Sequence, residues 1–135
     1  LTDRGIPIEQ ALEKFNKFSD MSDLLVGHNV SFDKRMVIVE GIRNKIRIHK
    51  HDTYCTMKNS VELCKIERCW PNGDTYFKYP TLSELHNELF QKIPKNTHNA
   101  LIDILICMRC FVKIELRKDI CRINRTIRTM MREAY

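Results

Sequence analysis

The chain has 135 residues, 43% of them apolar and 30% charged, and a formal net charge of +6 at pH 7. That apolar content excludes a disordered chain, and the length allows one domain with a buried core. No apolar run approaches a membrane span and no secretory signal opens the chain, so an intracellular location is expected, with a mild bias towards polyanionic partners.

Gly5-Ile6-Pro7 leads into a first helix, with Pro7 in its first turn and Ile8, Leu12, Phe15 and Phe18 on one apolar face. Asp20 to Asp23 connects to a strand, Leu24 to His28, whose apolar start suits burial on both faces. A helix follows from about Phe32 to Glu40. Ser31 is its expected cap, Asp33 falls in the first turn, and Gly41 is its expected stop. Arg43 to Arg47 is basic, and Ile48 to Tyr54 reads as a second strand. Helix, strand, helix, strand is the order of a parallel sheet built from crossover units.

Thr56 is the expected cap of a helix running to about Cys64. Pro71-Asn72-Gly73-Asp74 then predicts a small hairpin between β-prone flanks. Its aromatics Trp70, Tyr76, Phe77 and Tyr79 could stack on bases, but are expected to pack the loop against the body. Thr81 and Glu84 form a capping box for a helix from Leu82 to Gln91, and Pro94 breaks the chain. From Asn99 onward the pattern is helical. The last part repeats Leu116, Ile120, Ile123, Ile127, Met130 and Ala134 on one seam, with Lys118, Arg122, Arg125, Arg128 and Arg132 mostly off it. The cysteines, Cys55, Cys64, Cys69, Cys107, Cys110 and Cys121, lack zinc-ribbon spacing and are expected reduced. Leu1 stands where an initiating methionine would, which predicts a fragment or an excised domain.

Two stretches carry candidate chemistry. Val26-Gly27-His28-Asn29-Val30-Ser31-Phe32-Asp33 places an acid past a strand end, where open α/β sheets hold their ligands. Thr97-His98-Asn99-Ala100-Leu101-Ile102-Asp103 places a histidine and an acid at a helix start. Five residues on an ideal helix turn a side chain by about 140°. His98 and Asp103 therefore converge only if His98 lies before the helix, out of helical register. Phosphodiester hydrolysis suits such groups. Carboxylates hold Mg2+ or Mn2+, a metal pair about 4 Å apart neutralises the phosphate and activates water, and a histidine takes the water's proton.

Together the two stretches resemble the second and third motifs of the DEDDh 3′–5′ exonucleases, the RNase H-like family that includes polymerase proofreading subunits. In that family a histidine-asparagine pair and an Asp follow a strand, and a His-x4-Asp signature opens the last helix. The resemblance runs from about Gly5 to about Leu116. It implies that Asp33 and Asp103 bind the metals and that His98 is the general base. It also implies that His28 and Asn29 lie near the terminal nucleotide, with Phe32 as an apolar wall and Asp52-Thr53 as structural support. Two Mg2+ or Mn2+ ions in an intact parent, a DNA or RNA 3′ end as substrate, and a polymerase as a conceivable partner follow from the same resemblance.

The family's first motif, Asp-x-Glu on the first strand, has no counterpart before Leu24. The expected fold is therefore an N-terminally truncated RNase H-like α/β exonuclease, helices predominating over two or three remaining strands. Residues 1–117 would form the partial exonuclease domain and 118–135 a basic amphipathic C-terminal helix. The two remaining strands would leave an unpaired edge and an uncovered apolar face, and the chain alone is expected to be inactive. The alternative reading is a non-catalytic nucleic-acid-binding or protein-interaction module that keeps the exonuclease shape.

Overall fold

A computed structural model describes residues 5–135. It is mixed α/β and helix-dominated, with four short strands in two two-stranded sheets among the described residues. The chain divides into two compact units. The first takes residues 5–25 and Asn29–Tyr54, the second Val26–His28 and Cys55–Tyr135.

The first unit is built on two helices, α1 (Ile8–Asp20) and α2 (Val30–Arg43). Pro7 caps α1 without a donor of its own, which suits a helix start. The face α1 buries is narrower than its apolar residues suggest. Leu12, Asn16 and Ser19 are buried, whereas Ile8 and Phe18 are exposed. Asn16 is buried because it is bonded: its amide donates to the Arg47 carbonyl at 2.8 Å and accepts from the His49 N–H at 3.1 Å.

Ser31 does not cap α2. Asn29 does, in the left-handed conformation at φ 66°, which asparagine tolerates better than most residues, and the helix begins at Val30. Gly41 does not end α2 either. It lies inside the helix, buried, and its carbonyl accepts from the Ile46 N–H at 2.8 Å as the chain doubles back. A Cβ there would meet the Ile46 carbonyl oxygen and Ile48 Cγ1 at 2.7 Å each. The glycine thus answers to close packing, and Asn44 supplies the cap.

Strand β1 (Leu25–Gly27) pairs with β2 (Thr53–Cys55), both shorter than their sequence patterns suggest. Leu25 N–H donates to the Asp52 carbonyl and Thr56 N–H to the Gly27 carbonyl, so both strands advance in the same direction. The parallel pairing expected of a crossover unit is present.

In the second unit Thr56 is not a helix cap. It is buried, a 3-10 turn spans Lys58–Ser60, and α3 (Val61–Cys64) follows. Strands β3 (Glu67–Cys69) and β4 (Thr75–Phe77) form the expected antiparallel hairpin around Gly73, whose φ is 94°. Its aromatics depart from expectation. Trp70, Tyr76, Phe77 and Tyr79 are exposed, and Trp70 stacks on Tyr76 with centroids 4.5 Å apart.

Helix α4 (Leu82–Phe90) starts at the Thr81–Glu84 capping box, with both reciprocal bonds made. Helix α5 (Ala100–Leu116) is the axis of the unit. Its Ile102, Leu105, Ile106 and Cys110 meet Leu85, Cys121, Met131 and Ala134 in one buried cluster. Each large apolar side chain buried there stabilises the fold by about 1.5–3 kcal/mol.

The C-terminal segment is not one helix. It forms α6 (Ile120–Ile123), α7 (Arg125–Met130) and a 3-10 turn at Met131–Ala134. Asp119 and Asn124 each restart the chain by accepting backbone N–H groups. The breaks turn Cys121, Met131 and Ala134 inward, while Arg122, Arg125, Arg128 and Arg132 remain exposed.

Substituting Gly41 by alanine is expected to destabilise the protein by about 1–3 kcal/mol, because backbone at Ile46 must move. Urea unfolding at neutral pH measures this. An unchanged midpoint would show that the turn after α2 has room to spare.

Candidate active site

The start of α5 gathers a histidine and an acid as their spacing required. His98 lies ahead of the helix at φ 74°, and α5 begins at Ala100. Asn99 caps it, its Oδ1 accepting from the Leu101 and Ile102 N–H groups at 3.1 and 3.3 Å. The Asp103 carboxylate reaches back over this first turn and accepts the His98 N–H, at 3.3 Å to Oδ1 and 3.2 Å to Oδ2. A carboxylate in this place is also favoured by the helix dipole. A non-glycine residue in the left-handed region costs about 1–2 kcal/mol, so the Asp103 bond holds His98 in a backbone state it would not otherwise prefer. The His98 side chain is exposed, and Asp103 is partly so.

The loop leading to His98 is tied to the C-terminus. Lys95 N–H donates to the Ala134 carbonyl at 2.7 Å, and the Asn96 amide donates to the Glu133 carbonyl at 2.5 Å. The last turn is fixed in turn by a polar network. Arg109 grips Asp119 with both arms, Nε to Oδ1 at 2.9 Å and Nη2 to Oδ2 at 2.7 Å. Its remaining Nη1 donates to the Tyr135 hydroxyl. His86, buried, bonds that hydroxyl through Nε2 at 2.5 Å and the Lys92 carbonyl through Nδ1 at 2.6 Å. The guanidinium also lies over the Phe90 ring, 3.9 Å from its centroid. The hydrogen bond from Arg109 holds the Asp119 carboxyl below its ordinary value, and burial pushes His86 below the usual imidazole value.

The strand-end motif is arranged differently. His28 donates from Nε2 to the Pro80 carbonyl at 2.8 Å, and its Nδ1 meets Thr56 Oγ1 at 2.9 Å. Both ring nitrogens are therefore engaged by protein, and burial lowers its pKa. Asn29 is exposed and its side chain caps nothing, while Phe32 is 53% exposed. Asp33 sits in the first turn of α2, and desolvation raises its pKa above the ordinary carboxylate value.

A model of an exonuclease family, RNase T, matches residues 3–111. The chain belongs to this exonuclease family. No curated protein and no solved structure matches it. The exonuclease domain is thus of a nuclease class acting on nucleic acid, in a family that generally uses divalent metals. No helix among the described residues is long and apolar enough to cross a membrane.

A thiol must lose its proton to bind metal. Burial, with Glu88 and Glu84 nearby, pushes Cys64 up to about 11, and burial raises Cys110 and Cys121 as well. Among the described residues, Asp20, His49 and His51 in the first unit bring three side chains capable of binding metal close together. This grouping went unnoticed in sequence, although a His-x-His pair in an extended stretch carried the signal. The Arg109 network was missed too, since nothing local marks a partner 26 residues away.

Asp119→Ala would leave the Arg109 guanidinium without its carboxylate at a side chain only 13% accessible, costing about 3 kcal/mol or more. Chemical denaturation measures it, and a cost under about 1 kcal/mol would contradict the network's role. The pH dependence has a fixed sign. His28 and His86 are lowered in the fold, so stability is full above their unfolded value of 6.5 and is lost as pH falls towards their folded values. Asp119 adds a second loss below 3.8, as pH falls through its depressed folded value. Denaturation midpoints from pH 8 to pH 3 should fall in those two windows.

Proposed function

We propose that the chain carries the second and third motifs of a DEDDh-type 3′–5′ exonuclease, which hydrolyses phosphodiester bonds at the 3′ end of DNA or RNA. The observation that supports this most is the start of α5. Within the span matched by the family, the Asp103 carboxylate accepts the His98 backbone N–H, so both residues stand at one helix entrance.

Asp103 and Asp33 are assigned to metal binding. Both are carboxylates, the hard oxygen donors that magnesium and manganese take, and both stand in the first turn of a helix. The bound ions supply charge neutralisation at the phosphate and a more acidic water. His98 is assigned as the base. Its ring is exposed and its backbone is held by Asp103, so it can accept a proton at a ring nitrogen while its position stays fixed. Asn29 and Phe32 are assigned to the terminal nucleotide, one offering an uncommitted amide and the other an apolar ring. His28, engaged at both nitrogens, is assigned to holding the strand end on which they follow.

The exposed Trp70–Tyr76 stack favours a second reading, a module that binds single-stranded nucleic acid without cleaving it.

A 3′-labelled oligonucleotide with Mn2+ distinguishes them. Two of the four carboxylates of the family pattern have no counterpart in these 135 residues, so this chain alone is expected to stay at background. A protein carrying an Asp-x-Glu strand together with this chain is expected to shorten the substrate from its 3′ end. Asp33→Asn, Asp103→Asn and His98→Ala should each lower that rate by about 100-fold or more. Cleavage indifferent to all three substitutions would refute the assignments. Binding without cleavage by that longer protein would leave the second reading standing.

A further inference from the structure

Away from the motif residues, the end of α1 faces an extended stretch after α2, and three metal-ligating side chains meet there. Asp20 closes α1, and His49 and His51 stand two apart in a segment without helical turns. In an extended chain, residues two apart project to the same side, so both imidazoles reach Asp20 while Lys50 turns away to solvent. His49 Nδ1 lies 2.9 Å from Asp20 Oδ1 and 2.8 Å from Oδ2. His51 Nε2 lies 3.3 Å from Oδ1. The three donor atoms all fall within 4.8 Å of one another.

His51 is the telling member. Its Nε2 is buried and makes no hydrogen bond, because its approach to Asp20 lacks the geometry of one. A buried ring nitrogen without a hydrogen bond is costly, and a cation between it and the carboxylate would remove that cost. The frame around it is already fixed. Asn16, one turn before Asp20 on α1, accepts the His49 N–H and donates to the Arg47 carbonyl, so the backbone bearing both histidines is anchored to the helix bearing the acid.

We propose that Asp20, His49 and His51 bind a zinc ion that staples the end of α1 to the stretch preceding β2. Two imidazoles and a carboxylate suit zinc better than magnesium, which prefers oxygen donors throughout. Three protein ligands leave the fourth tetrahedral position to water, which the exposure of Asp20 and His49 permits. The site uses none of the residues assigned to nucleotide hydrolysis, and it stands or falls separately from them.

The test is titration of the chelator-treated 135-residue chain with Zn2+ in excess Mg2+, read by calorimetry, with Co2+ absorption and zinc-edge X-ray absorption as reporters of ligand type. One zinc per chain is expected, with nitrogen and oxygen donors at about 2.0–2.1 Å, no sulfur, and a raised thermal midpoint. His51→Ala and Asp20→Asn should each weaken binding by about tenfold or more, and Asp33→Asn and Asp103→Asn should leave it unchanged. Should His51→Ala fail to fold, His49→Ala, at a half-exposed position, reads the same loss. Absence of zinc binding, sulfur in the ligand shell, or affinity indifferent to the histidine and Asp20 substitutions would overturn the proposal.

Discussion

The second unit is closed by one part-buried ion pair. Arg109 extends from the middle of α5 and closes a two-pronged bond on Asp119, which itself caps the next helix by accepting the Cys121 N–H. One interaction thereby fixes the turn after α5, the start of α6 and, through Tyr135 and His86, the packing of the C-terminus on α4. A part-buried pair of this kind contributes more by its geometry than by net attraction. Desolvation consumes much of the Coulombic gain, and the bidentate fork with its additional bonds makes the arrangement specific.

That specificity reaches the candidate active site through the backbone. The final turn, held by the network, accepts two bonds from Lys95 and Asn96, and the chain then runs directly into His98. The basic C-terminal segment therefore has two faces with different work. Its apolar residues complete the core and support the loop before α5, while its arginines face solvent, where a polyanion can meet them. Helix α2 leaves Met36, Ile38, Val39 and Ile42 exposed, an apolar stretch on the first unit.

Much of this was legible in sequence, for identifiable reasons. Helices α4 and α5 and the hairpin announce themselves through a capping box, an apolar stripe and an Asn-Gly turn, all local signals. Helical arithmetic set the condition under which His98 and Asp103 could meet, and His98 does lie ahead of α5. What failed depended on tertiary context. Gly41 looks like a stop, yet it answers to the close return of Ile46 and Ile48. Ser31 and Asn29 are comparable caps by type, and the chain turns at Asn29 because the left-handed conformation is needed there. The continuous seam from Leu116 to Ala134 hid its breaks, since Asp119 and Asn124 read as polar positions on a helix rather than as its caps. The partners of the His28 ring, Thr56 and Pro80, lie 28 and 52 residues away and carry no local signal.

We propose that the entrance of α5 binds metal and accepts a proton, rather than being a capped helix with a surface acid. Paramagnetic broadening by Mn2+ in the NMR spectrum of the chain tests it most directly. The account predicts selective broadening of the His98 and Asp103 signals, at Mn2+ levels that leave His86 and Tyr135 sharp, and its loss in Asp103→Asn. Sharp His98 and Asp103 signals, or broadening that survives that substitution, would contradict it.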